Sequence, residues 1–157
     1  MLLYVFALLI GMIAGLRAMT APAAAAWAAR LGWLPLAGYP LAWLGGLIPV
    51  LVLSALAALE LIADQHPKTP SRKVPHQFIA RVLTGAFAGA ALMMPGTHWL
   101  RGMIIGAVGA VIGTFVGAEF RGRLAARFGK DKPAAIIEDV VAVVGAFAIF
   151  FLAKAAI

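Results

Sequence analysis

The sequence predicts an all-α fold: a polytopic transmembrane helical bundle of about five spans, formed by residues 1–157 as a single integral membrane domain. Three observations predict this fold class. Hydrophobic residues occupy 64% of the 157 positions, against about 45–50% in an average soluble domain. Several apolar stretches reach the ~20 residues that a helix needs to cross the hydrocarbon core. The net charge is +7, and most basic residues lie between these stretches.

The composition also excludes several classes of protein. Only 12% of the residues are charged, which is too few to cover the surface of a soluble domain of this length. The large apolar content excludes a disordered chain. The chain has no cysteine, so disulfides, zinc–thiolate centres and cysteine nucleophiles are excluded as well.

Four of the predicted spans are regular apolar stretches with few charges inside them. They are residues 41–63, 78–95, 100–120 and 134–157. The linkers between them are short.

The first span, residues 2–30, is irregular because Arg17 and Pro22 interrupt it. One interpretation is a single long helix with a kink near Pro22. The other is a break at Arg17, followed by a second half-helix with Thr20 as its N-cap and Pro22 in its first turn. We favour a broken or kinked first helix.

The basic residues predict the orientation in the membrane. With five spans, two loops would lie on the same side as the N-terminus, and that side would hold nine of the 13 basic residues. These are Lys68, Arg72, Lys73, Arg81, Arg121, Arg123, Arg127, Lys130 and Lys132. Because positive loops stay cytoplasmic, we expect a cytoplasmic N-terminus and an external C-terminus in a bacterial inner membrane. The expected partner is the lipid bilayer; nucleic acid is not expected, since the basic residues lie in short loops.

A short internal similarity favours a repeat. The strings AAAWAARLG at 24–32 and RGRLAARFG at 121–129 share four identities at a constant offset of 97 residues. Each string lies between two apolar helices, so spans one and two would correspond to spans four and five in an inverted repeat, as in many transporters. The alternative is coincidence in an alanine-rich chain.

Five glycines lie on one face of the span over 100–120. Their spacings of three and four residues predict a smooth helix surface formed by Gly102, Gly106, Gly109, Gly113 and Gly117. In lipid, such small residues allow close helix contact. We expect tight packing inside one bundle or across a homodimer; the alternative is a face along which a helix slides or a solute passes.

Ionisable groups at membrane depth are costly and are therefore functional candidates. Arg17 is the first of these, because it follows 15 apolar residues and precedes Thr20 and Pro22 at the predicted break. Together with a free helix N-terminus, it would suit a carboxylate or a phosphate. Alternatively, Arg17 extends to the outer interface or pairs with an acid from another helix.

Five of the six acidic residues are expected at one membrane level, on the cytoplasmic side. They are Glu60, Asp64, Glu119, Glu138 and Asp139. Such oxygen clusters can hold a cation or relay protons. The alternative is salt bridging to nearby basic residues, with Arg81 as the buried partner. We therefore expect these residues to form the pathway of an unknown small solute or ion, or to hold the bundle together.

No catalytic residues are predicted. The three histidines lack metal-ligand spacing, Ser54 has no nucleophile-elbow sequence around it, and no nucleotide-binding loop occurs. We expect neither an enzyme, nor a metal site, nor a cofactor.

Three strings resemble a known family. They are Gly15-Leu16-Arg17-Ala18-Met19-Thr20-Ala21-Pro22, Glu60-Leu61-Ile62-Ala63-Asp64 with the segment 67–72, and Ile137-Glu138-Asp139. They resemble small bacterial membrane proteins grouped as domain of unknown function 4126, over nearly the whole chain. The resemblance implies a polytopic inner-membrane protein and brings no activity.

Taken together, the sequence favours a small transporter or channel-like protein for a small solute or ion, expected as a homodimer. The alternative is a membrane scaffold or lipid-binding protein that transports nothing. A continuous polar cavity at Arg17 and the acids would favour transport, and separate dry salt bridges would favour the scaffold.

Overall fold

The computed structural model describes residues 1–63, 74–96 and 98–157, and these residues form helices and no strands. Asp64, one of the predicted site residues, lies outside the described residues. The helices are α1 (Leu2–Leu16), α2 (Thr20–Arg30), a short 3-10 turn (Ala42–Gly45), α3 (Leu47–Ala63), α4 (Pro75–Met93), α5 (Trp99–Phe128) and α6 (Asp131–Ala153). The all-helical fold class is confirmed.

The predicted break in the first helix is confirmed. Arg17 has an extended backbone, with φ −139° and ψ 111°, and ends α1. Thr20 was expected to cap α2, but it is the first helical residue, and Met19 holds the cap position without a side-chain cap bond. Pro22 lies in the first turn of α2, where its missing N–H removes no helix hydrogen bond.

Helices α1, α4 and α5 form the centre of the molecule. Gly85 and Gly89 of α4 face Gly106 and Gly102 of α5, so α4 and α5 are antiparallel. The interface is so close that a Cβ on Gly106 would collide with the carbonyl oxygen of Gly85. All five glycines of the predicted face are buried, against α4 near the start of α5 and against α1 further along.

Helix α1 runs in the same direction as α5. Near their starts, Arg101 donates a hydrogen bond to the hydroxyl of Tyr4, 97 residues apart in the chain. Further along, Gly15 lies against Thr114. The first helices of the two proposed repeats are therefore parallel, so the antiparallel relation expected of an inverted repeat is not confirmed.

Helix α2 turns back along the molecule instead of continuing α1. It is antiparallel to α3, because Ala18 bonds to Glu60 near the end of α3 and Trp27 bonds to Ser54 near its middle. Helix α3 in turn ends at the level where α1 ends. Residues 2–30 are therefore a helical hairpin, not the single first span that we expected; a break in sequence does not specify the direction in which the chain resumes.

The hairpin places both chain termini at one end of the molecule. Helix α6 lies antiparallel to α1, since Asp139 bonds to Arg17 while Gly145 packs against Ile13. The N-terminus thus lies at the end opposite the basic turn at Gly129, whereas we expected the two on the same side. The expectation was wrong because it counted residues 2–30 as one crossing.

Large apolar side chains point outward and small residues point inward. On α5, Ile104, Val108, Ile112 and Phe115 are exposed, while the opposite glycine face is buried. Among the described residues, α5 and α6 are long and apolar enough to cross a membrane, and α1 and α3 are shorter apolar helices. This distribution is typical of a helix bundle whose outer surface faces lipid.

Candidate functional site

Arg17 lies at the tip of the α1–α2 hairpin and is completely buried. Its Nε donates to Oδ1 of Asp139 at 2.6 Å, and a terminal nitrogen lies 2.5 Å from the same oxygen. A second carboxylate, that of Glu138, lies 3.7 Å from this nitrogen. The guanidinium therefore joins the end of α1 to the first third of α6 through charge-assisted hydrogen bonds, which are about twice as strong as neutral ones.

Glu138 and Asp139 are on different faces of α6 but meet the same arginine. The side chain of Glu138 is 3% exposed, and it also lies 3.5 Å from a terminal nitrogen of Arg121 on α5. Arg121 makes a two-pronged bond to Asp131 at the start of α6, at 2.9 and 2.6 Å. Arg121 and Asp131 were not among the residues predicted for this site. The available signal was their separation of ten residues across the α5–α6 turn.

Glu60 caps the start of α2, a role that we predicted for the side chain of Thr20. Its two carboxylate oxygens accept the backbone N–H groups of Ala18 and Met19, at 2.7 and 2.8 Å. These N–H groups precede α2, where the helix dipole also favours a negative charge. A carboxylate from α3 thus satisfies donors that the broken backbone would otherwise leave buried without partners.

Arg81 of α4 holds the other side of the break. The residue is 2% exposed, and its Nη1 donates hydrogen bonds to the carbonyl oxygens of Gly15 and Leu16, at 2.8 and 2.5 Å. These carbonyls belong to the last turn of α1, where a cation is favourable. Its other terminal nitrogen lies 3.9 Å from Glu60, so the expected ion pair is present but is the longer contact.

Five ionisable residues from the hairpin tip, α3, α4 and α6 therefore meet at one level of the bundle. We name this cluster the break network: Arg17, Glu60, Arg81, Glu138 and Asp139. Its hydrogen bonds satisfy the backbone groups on both sides of the break at Arg17. Because Arg17 has no exposed surface, no water-sized space touches its side chain.

Three of the described residues that we predicted for the site are not part of the network. Glu119 is on the surface, with 66% of its side chain exposed, and pairs with Arg123 one turn later on α5. Thr20 lies next to the break and is buried, but its hydroxyl has no hydrogen-bond partner among the described residues. Pro22 supports the start of α2 without contributing a polar group.

The arrangement can hold charges, and it does not form a metal site in the part of the chain that the structure describes. There, no group of three or more histidine or acidic residues is placed to bind a metal ion. The network's carboxylates are already engaged by arginines and backbone N–H groups. Removing one partner of such a buried pair typically costs about 3–5 kcal/mol, because it leaves the other charge uncompensated.

Comparison with known proteins gives one match. The family described as "Domain of unknown function (DUF4126)" matches residues 4–157, essentially the whole chain. No curated protein and no solved structure has a significant match to the chain.

Proposed function

The chain belongs to the family of domain of unknown function 4126, a description that carries no activity, and we propose its function from the geometry. We propose a small bacterial inner-membrane transporter or channel-like protein for a small solute or ion. In this proposal the break network closes the pathway, and its ion pairs separate when the protein opens.

Membrane residence is supported by the helices and their outer surface. Helices α5 and α6 are long and apolar enough to cross a membrane. Their outward side chains are large and apolar, for example Val108 on α5 and Val144 on α6, which are 49% and 61% exposed. A soluble protein would leave these faces in water, which the hydrophobic effect opposes.

The proposed orientation has both termini in the periplasm. The end opposite the termini carries Arg121, Arg123, Arg127, Lys130 and Lys132. Since basic segments are retained in the cytoplasm, that end is cytoplasmic. The sequence-based proposal of a cytoplasmic N-terminus is thereby replaced.

The observation that carries the proposal is fully buried Arg17 at a helix break inside an apolar bundle. Helix α1 has 15 residues and is about 22 Å long, so the hairpin tip lies within a hydrocarbon core of ~30 Å. Irregular backbone at that depth is tolerated only where it is enclosed by protein or lines a cavity. Discontinuous helices that end at such depth form the solute sites of many transporters.

In this state the pathway is closed. Arg17 connects the hairpin tip to α6 through Asp139, and Glu60 connects it to α3. Opening towards the cytoplasm would separate the tip from one of these helices. The bonds to Asp139 and Glu60 are therefore the contacts whose loss we expect to alter transport most.

The test is flux through purified protein in proteoliposomes. The probes are jumps of Na⁺, H⁺ and chloride, followed as currents on a solid-supported membrane, and glycerol, followed by light-scattering swelling. We expect at least one probe to exceed empty liposomes. Asp139→Asn and Glu60→Gln weaken the contacts that close the pathway, so they should raise that flux above the wild-type value.

The matched control is Glu119→Gln, which removes an acid of the same helix bundle that lies outside the break network. It should transport like the wild type. The proposal fails if none of the probes exceeds empty liposomes, or if folded Asp139→Asn and Glu60→Gln transport normally.

A second candidate, a scaffold that transports nothing, is favoured by the dry packing of Arg17. Under that hypothesis the network only holds the helices together. Asp139→Asn would then lower the thermal midpoint, and wild-type liposomes would be as impermeable as empty ones to every probe.

A further inference from the structure

An open cavity of about 180 Å³ lies between α2, α3 and α6, beside the break network. Its lining includes Thr20, Trp27, Ser54, Ala57, Leu61 and Val143. Leu61 follows Glu60 directly, and Val143 is one helical turn after Asp139. A molecule in the cavity would therefore lie about one turn from the two carboxylates that hold the hairpin tip.

Thr20 lines the cavity, and its hydroxyl is buried without a hydrogen-bond partner among the described residues. The residue is 4% exposed. Buried polar atoms are nearly always hydrogen-bonded, and each exception calls for an explanation such as an absent ligand. The hydroxyl of Thr84, in contrast, bonds to the carbonyl oxygens of Ala80 and Arg81, as is usual for a threonine within a helix.

The rest of the lining limits the class of ligand. Trp27 donates its indole N–H to the hydroxyl of Ser54 at 3.0 Å, so both groups have a partner. The remaining lining residues are alanine, leucine, valine and phenylalanine, and none of the lining residues is charged. An ion in this cavity would lose its hydration without gaining an opposite charge, which costs much free energy. A small uncharged molecule with one polar group loses far less, because it needs only one hydrogen-bond partner.

We infer that this cavity binds a small uncharged solute with a hydroxyl or carbonyl group beside an apolar body, and that the Thr20 hydroxyl, which is buried in this structure, turns into the cavity by rotation about χ1 to hydrogen-bond to the polar group. The inference rests on the proposed function, for which it names the solute class. Thr20 is the first residue of α2, so a bound solute contacts the same backbone segment that Glu60 holds through Ala18 and Met19.

The experiment uses Trp27 as the reporter. A protein with Trp33→Phe, Trp43→Phe and Trp99→Phe keeps Trp27 alone, and is placed in lipid nanodiscs. Bromine quenches indole fluorescence on contact, so the probes are 3-bromo-1-propanol and 1-bromobutane, which is of similar size and lacks the hydroxyl. A protein that keeps Trp99 alone reports quenching by probe dissolved in lipid, since Trp99 is 47% exposed.

We expect saturable quenching of Trp27 by 3-bromo-1-propanol and a linear response of Trp99. Thr20→Val keeps the side-chain shape but removes the hydroxyl. It should weaken the binding of 3-bromo-1-propanol about two- to tenfold and leave the binding of 1-bromobutane unchanged. Ala57→Leu should remove the saturable component by filling the cavity. Thr84→Val, outside this cavity, should behave like the parent.

The inference is overturned if Trp27 responds as linearly as Trp99, because the bromine then reaches it only through lipid. It is also overturned if Thr20→Val weakens both probes equally or neither. Binding is measured without flux, so saturable binding in a protein with no transport would overturn the proposed function and leave the cavity assigned. Normal transport without saturable binding would overturn the cavity assignment and leave the proposed function in place.

Discussion

Arg17 shows what a single residue contributes to this fold. Its burial was one of the outcomes that the sequence left open, beside extension to the outer interface, because a charge after 15 apolar residues has to be explained at membrane depth. Its partners were not predictable: we placed Arg17 on the less basic side, away from the acids, and the structure joins it to Asp139 and Glu138. The pairing depends on the reversal of the chain after Met19, which no local pattern encodes.

At this scale we predict that Arg17→Gln destabilises the protein by about 3–5 kcal/mol, because Asp139 and Glu138 lose a buried cation. Arg17→Lys keeps the charge but not the planar fork, so its effect should be intermediate. Thermal unfolding in one detergent, followed by circular dichroism, measures both. Arg123→Gln, at a surface pair whose side chains are 79% and 66% exposed, is the control and should unfold like the wild type. Equal midpoints for Arg17→Gln and wild type would mean that the buried pair contributes nothing.

At the scale of elements, the sequence predicted the positions of the helices well and the contacts between them less well. The spans over 100–120 and 134–157 correspond to α5 and α6, and α5 is longer because its charged second half continues the helix. The break was predicted from Arg17, Thr20 and Pro22, which interrupt the apolar stretch. Its cap was not, because Glu60 comes from another helix 41 and 42 residues away.

The glycine face gives the prediction at this scale. Gly106→Ala should destabilise by about 1–3 kcal/mol or more, because the new methyl group would meet the backbone of α4 at Gly85. Gly122→Ala in the same helix meets no atom within 4 Å, so it should stabilise by up to about 1 kcal/mol through helix propensity. Thermal midpoints of the two variants should move in opposite directions; a shift of the same sign in both would contradict the close α4–α5 contact.

At the scale of the whole molecule, the hairpin changes the number of passes and therefore the orientation. The six α-helices of the described residues alternate in direction, so the chain begins and ends at one side and the basic α5–α6 turn lies at the other. The sequence indicated which residues are basic and which are apolar. It did not indicate whether residues 2–30 cross once or turn back as a re-entrant hairpin, because 29 mostly apolar residues satisfy both arrangements.

The most direct test of the central claim, that a re-entrant hairpin holds Arg17 inside the membrane, is the sidedness of residues before and after the hairpin. The chain has no cysteine, so single cysteines can be introduced without background: in a short extension before Met1, at Ala37→Cys and at Lys132→Cys. A membrane-impermeant maleimide is applied to intact cells with a permeabilised outer membrane and to inside-out vesicles. We predict that the extension and Ala37→Cys react only in cells, and that Lys132→Cys reacts only in vesicles. Labelling of the extension and Ala37→Cys from opposite sides would show that residues 2–30 cross once, and would contradict the hairpin and the buried network at its tip.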